Sequence, residues 1–120
     1  MTHISARRAA LALGLVAALA LTGCAAEAGS GSPVPTDRVD MPRSYRFAPA
    51  AITVPAGSTV TWTNNDQFTH SVRLPEAEAP DMVVKPGETA EHTFQEPGTY
   101  PYLCTFHPND MTGTVVVTAD

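Results

Sequence analysis

The sequence predicts an all-β domain, an antiparallel sandwich or barrel. Three observations carry this. No stretch of the mature chain keeps apolar residues at helical spacing over a useful length. Proline, glycine and asparagine recur every eight to twelve residues. The segments between them alternate apolar and polar residues, as half-buried strands do.

At the start of the chain, Arg7-Arg8 precede an apolar run that ends in Leu21-Thr22-Gly23-Cys24. A basic head, about a dozen apolar residues and small residues before a cut describe a secretory signal, here 1–23. The run is too short to span a bilayer, which takes about 20 apolar residues. Leu-Thr-Gly-Cys resembles a bacterial lipobox, which makes Cys24 a lipidated N-terminus. Arg7-Arg8 leave both general and twin-arginine export open, although Ala9-Ala10 stand where the latter signal has a bulky residue. The expected location is the outer face of a bacterial cytoplasmic membrane.

With Cys24 occupied, Cys104 is a lone thiol in an oxidising compartment, a liability unless a metal takes it. A Cys24–Cys104 disulfide is the competing account. Loss of Arg7 and Arg8 takes the formal charge from −5 to −7, because all twelve acids remain. That balance argues against nucleic acid as a partner. Residues 24–42, rich in Ala, Gly, Ser and Pro, have nothing to build a core and form an expected flexible linker.

The expected folded domain, 43–120, is enough for one small core. Its predicted strands are 44–47, 51–54, 59–63, 71–74, 89–94, 99–104 and 113–118. In the third, Val60 and Trp62 share the inward face and the threonines face out. In the sixth, Tyr100, Tyr102 and Cys104 share the core parity, and Pro101 places that strand near a sheet edge. Pro55-Ala56-Gly57, Pro86-Gly87 and Pro97-Gly98 are turns. His92 shares parity with Ala90 and Phe94, so it is expected to be partly buried and not a ligand.

The sixth strand runs straight into Cys104-Thr105-Phe106-His107-Pro108-Asn109-Asp110-Met111. A thiolate, an imidazole and a thioether within eight positions form a soft donor set. With one more imidazole, for which His70 is the upstream candidate, they suit a copper ion cycling between two oxidation states. Met111 is taken as the weak axial ligand; the other reading makes it a core plug. No paired carboxylates, Ser/His/Asp set or phosphate loop points to an enzyme.

Phe47-Ala48-Pro49, Val60-Thr61-Trp62-Thr63-Asn64, Pro97 to Pro108 and Met111-Thr112-Gly113 resemble, in order, a small blue copper protein. The chain is similar to cupredoxins of the plastocyanin/amicyanin type over residues 44–118. The resemblance implies a Greek-key β-sandwich of seven to eight strands and one type 1 copper ion per chain. It also implies electron transfer without substrate turnover, so no enzyme. The implied metal ligands are His70, Cys104, His107 and Met111. Asn64, in the family-equivalent position, is expected to bond backbone near Cys104 and tie the two loops. Redox partners are expected to dock a monomer near His107, inside an apolar collar of Phe68, Phe106 and Pro108. The alternative function is copper storage, delivery or sensing, against which the mature chain has no methionine- or histidine-rich run.

Overall fold

A computed structural model of the chain describes residues 31–119; the 1–23 signal, Cys24 and the start of the linker lie outside them. Among the described residues there is no helix. Nine strands follow in order: β1 (Val34–Pro35), β2 (Arg38–Met41), β3 (Ala51–Pro55), β4 (Ser58–Asn64), β5 (His70–Val72), β6 (Met82–Val84), β7 (Thr89–Phe94), β8 (Gly98–Leu103) and β9 (Thr112–Thr118). One sheet is ordered β1-β3-β9-β8, a second β2-β4-β7, and β5 pairs with β6 as a ribbon.

The core lies between the sheets. Ile52, Val54, Val115, Val117 and Tyr102 come from the first sheet, and Val39, Val60, Trp62, Ala90 and Phe94 from the second. Trp62 meets Tyr102 edge to face across the gap, with ring centroids 5.4 Å apart. Such a pair adds about 0.5–1.5 kcal/mol to its area burial. Val60 and Trp62 are fully buried, as the alternation requires. His92 is half-buried with its ring edge-on to Phe94 at 4.7 Å. A Cβ at Gly113 would overlap the Tyr102 ring and the Ala50 carbonyl, so that position has room for glycine alone.

Four features differ from the sequence reading. β6 is not among the predicted strands, its three residues being too few to show alternation, and the count is nine against the expected seven to eight. The linker does not run to residue 42 as a tether, because β1 and β2 lie within it. In Arg38-Val39-Asp40-Met41 the alternate residues Val39 and Met41 are buried, enough to seat a short strand beside β4. The 44–47 segment is not a strand. Ser44 (φ 89°) and Tyr45 (φ 52°) take left-handed backbone, and paired Asp40 and Ala48 amides close the loop at 2.8 Å each. Phe47 still reaches the core. Finally, pairing is mixed: β4–β7, β5–β6 and β8–β9 are antiparallel, whereas β1–β3, β2–β4 and β3–β9 are parallel.

Pro101 sits where expected, on β8 at the edge of its sheet. Beyond it, Leu103 and Arg73 exchange backbone hydrogen bonds of 2.9 and 3.1 Å. That bridge fastens the end of β5 to the end of β8, immediately before Cys104.

Candidate metal centre

Three strands deliver the candidate ligands to one end of the sandwich. β5 opens on His70, β8 runs into Cys104, and β9 starts directly after Met111. Between the last two the chain closes on itself. The amides of His107 and Met111 donate to the carbonyls of Cys104 and His107 at 3.1 and 3.0 Å, and the Cys104 amide donates to the Met111 carbonyl at 3.0 Å. Cys104 and Met111 are fully buried; His107 is half-buried at the rim.

His70 Nδ1 lies 3.8 Å from Cys104 Sγ, and His70 is fully buried. The other ring nitrogen, Nε2, is 2.8 Å from Asp66 Oδ2. The Asp66 carboxylate accepts Nε2–H; in the neutral ring this makes Nδ1, turned toward the sulfur, the lone-pair nitrogen. The hydrogen bond from His70 holds the Asp66 carboxyl below the usual carboxylate range, against its own desolvation. The sulfur has a donor of its own, the Ser71 backbone amide at 3.3 Å. The Ser71 hydroxyl meanwhile accepts the Thr105 amide at 2.8 Å, and Thr105 Oγ1 donates to Asp81 at 2.6 Å.

Asn64 takes another part than expected. Its Nδ2 donates to the carbonyls of Phe68 and Val84 at 2.8 and 2.9 Å, and its Oδ1 accepts the Asp66 amide at 2.9 Å. Asn64 ends β4 beneath the turn leading to His70, so its amide braces that turn against β6. The tie to the Cys104 loop comes from Ser71, because β5 runs beside that loop.

His107 comes to this end from the ligand loop and meets His70 edge to face. Its ring leans on Tyr45 at 4.4 Å and its centroid is 5.9 Å from that of His70. Among the described residues, no three His, Cys, Asp or Glu side chains are drawn together closely enough to hold an ion as they stand. The donor chemistry nevertheless fits a soft metal: one buried sulfur bearing an N–H donor, one imidazole turned to it, a second imidazole at the rim and a buried thioether.

Residues 11–117 match the model of the cupredoxin-like domain. The chain belongs to the cupredoxin family. It is 34% identical over 106 residues to amicyanin-alpha of Methylorubrum extorquens, covering 84% of this chain and 87% of that one. It is 37% identical over 83 residues to plastocyanin of Scenedesmus fuscus, covering 59% of this chain and 85% of the relative. Of solved structures, the Cu(I) form of an amicyanin mutant matches with a TM-score of 0.62 at 32% identity, covering 76% of this chain and 88% of that one.

On this cupredoxin, the rim around His107 is aromatic and exposed. Phe68 and Phe106 stand 48% and 53% exposed, and Pro108 is exposed beside them. Tyr45 stacks on Phe68 at 5.8 Å and completes the rim from the loop that the sequence read as a strand. Asp66, Ser71 and Tyr45 were missed as site residues. The first two had only nearness to His70 in sequence as a signal, and Tyr45 had none.

Proposed function

We propose that this cupredoxin carries single electrons on one copper ion held by His70, Cys104, His107 and Met111. The observation that carries the reading is the buried approach of His70 Nδ1 to Cys104 Sγ, with Asp66 behind the ring and Ser71 behind the sulfur. Copper, when bound, supplies a one-electron centre whose two oxidation states both accept such a donor set.

The chain's own groups do the rest. Asp66 fixes the tautomer and ring plane of His70, and Ser71 fixes the sulfur. Both act from a loop and strand locked by the Asn64 and Arg73–Leu103 bonds, so little backbone has to move when charge changes. Copper-mediated electron transfer is the family-level role of cupredoxins. In this reading the chain turns over no substrate. His107, half-buried within the Tyr45, Phe68 and Phe106 rim, offers its outer edge to a redox partner docking on a monomer. A small apolar contact suits brief encounters. The domain lies outside the cytoplasm, and lipid on Cys24 holds it to the outer face of the cytoplasmic membrane.

The copper-loaded protein is expected to show an intense visible thiolate-to-copper band that bleaches reversibly on one-electron reduction, and Cys104→Ser to lack it. Copper binding without a reversible one-electron wave would instead favour storage or delivery. Cys24→Ala is expected to free the protein from membranes; unchanged retention would refute the anchor.

A further inference from the structure

The strands inside the supposed linker determine which end of the domain meets its anchor. β1 is parallel to β3, with Val34 opposite Ile52, and β3 is parallel to β9, with Ala51 opposite Thr114. β9 begins directly after Met111. All three strands therefore start at the ligand end and run away from it. Ahead of β1, Gly31 and Ser32 line one cavity with Pro49, Thr112 and Gly113, so the chain is still at that end there. Gly31 is seven residues past Cys24, at most about 25 Å of fully extended chain.

We propose that the ligand end, with His107 and its aromatic rim, faces the membrane, and that its partner is a redox protein embedded in the same bilayer. The inference rests on the reading of Cys24 as lipidated. Turning the opposite end to the bilayer would take the chain back along the domain's own length. The seven-residue β9 alone spans about 23 Å, which consumes nearly all of that reach. A soluble globular partner does not fit beneath the domain either. A chain of about 100 residues has a radius of gyration near 13 Å, hence is roughly 30 Å across, wider than the gap. Charge at this end is mixed and favours neither orientation: Arg43 and Arg46, both exposed, flank Tyr45 in the loop against His107, while exposed Asp110 lies in the ligand loop and exposed Asp81 accepts from Thr105 Oγ1. The exchange is of one electron between the copper ion and a one-electron centre of the partner, one being oxidised as the other is reduced; no bond forms or breaks.

The test uses the full lipidated chain in phosphatidylcholine/phosphatidylglycerol vesicles carrying a nitroxide on the lipid headgroup. A tryptophan is placed at the ligand end (Phe106→Trp, with Pro108→Trp as a second variant) or in the β7–β8 turn (Glu96→Trp). That turn lies at the far end, because Phe94 pairs with Ser58 and Gly98 with Val117. Buried Trp62 adds the same background to each. Quenching at the ligand end is expected to exceed that at Glu96 at least threefold. Equal or reversed quenching on vesicle-bound protein overturns the orientation and leaves the anchor standing. Failure of the chain to float with vesicles overturns the anchor, and this inference with it. Washed right-side-out membranes from the producing cells then test the partner, by their rate of reducing the copper protein. Cys24→Ala is expected to be reduced at least tenfold more slowly than the anchored chain at equal concentration. Equal rates, reduction that needs the soluble fraction, or stronger quenching by acyl-chain than by headgroup nitroxide overturn a membrane-embedded partner.

Discussion

The Ser71 amide points at the sulfur of Cys104 from 3.3 Å, while the Ser71 hydroxyl accepts the amide of the next residue, Thr105, at 2.8 Å. One residue of β5 thus holds both the sulfur and the first turn of the ligand loop. Ser71→Ala keeps the main-chain donor to the sulfur and removes the hydroxyl, which accepts from Thr105 and donates to Cys104 Sγ over a longer 4.0 Å. The coloured site is expected to persist, with unfolding free energy lower by about 1 kcal/mol, since Thr105 is exposed enough for water to replace part of the bond. Urea unfolding of the metal-free protein measures this. An unchanged midpoint would mean that the hydroxyl contributes nothing.

Met111 is fully buried, and its carbonyl accepts the Cys104 amide, so backbone holds it whatever its side chain does. Met111→Leu conserves volume and is expected to cost less than about 1.5 kcal/mol of stability. Losing a weak thioether donor disfavours the oxidised ion, so the reduction potential is expected to rise while colour remains. Voltammetry decides it; an unmoved potential would leave Met111 as a core plug.

Asp66→Asn removes the charge behind His70 but keeps an acceptor at the same place. The imidazole becomes a poorer donor, and affinity for Cu(II) is expected to fall on the order of tenfold. Competition with a chelator reads this directly. Equal affinity in the two proteins would reduce the 2.8 Å contact to a packing detail.

What the sequence revealed was local. Val60 and Trp62 alternate within one strand, and Tyr102 and Cys104 within another, so their faces followed without knowledge of neighbours. The four candidate ligands were legible because their chemistry is rare and three of them share one loop. Long-range pairing was not legible. β1 and β2 are two and four residues long and pair in parallel with β3 and β4, so their sequence resembled linker. Tyr45 and Phe47 alternate as a strand would, but left-handed backbone at Ser44 and Tyr45 turns one ring to His107 and leaves the other in the core. Asp66 and Ser71 stand four before and one after His70, yet only the fold shows which atoms they face.

His92 lies outside the candidate site and still sets a pH dependence. It pairs with Val60 in the β4–β7 register and packs against Phe94, and this burial holds its pKa below the ordinary 6.5. Just below pH 6.5 the unfolded chain therefore binds a proton at His92 that the fold resists. With more protons bound in the unfolded state, stability rises with pH. The contribution is complete above pH 6.5 and is lost as pH falls from there through the folded pKa. His92→Gln removes it. Urea midpoints of the metal-free protein and the variant between about pH 7.5 and 5 are expected to converge, or cross, as pH falls. Taking the difference cancels every pH-dependent contribution that the two proteins share. Parallel curves would mean that the ring charges as readily in the fold as out of it, and that Phe94 and Val60 do not desolvate it.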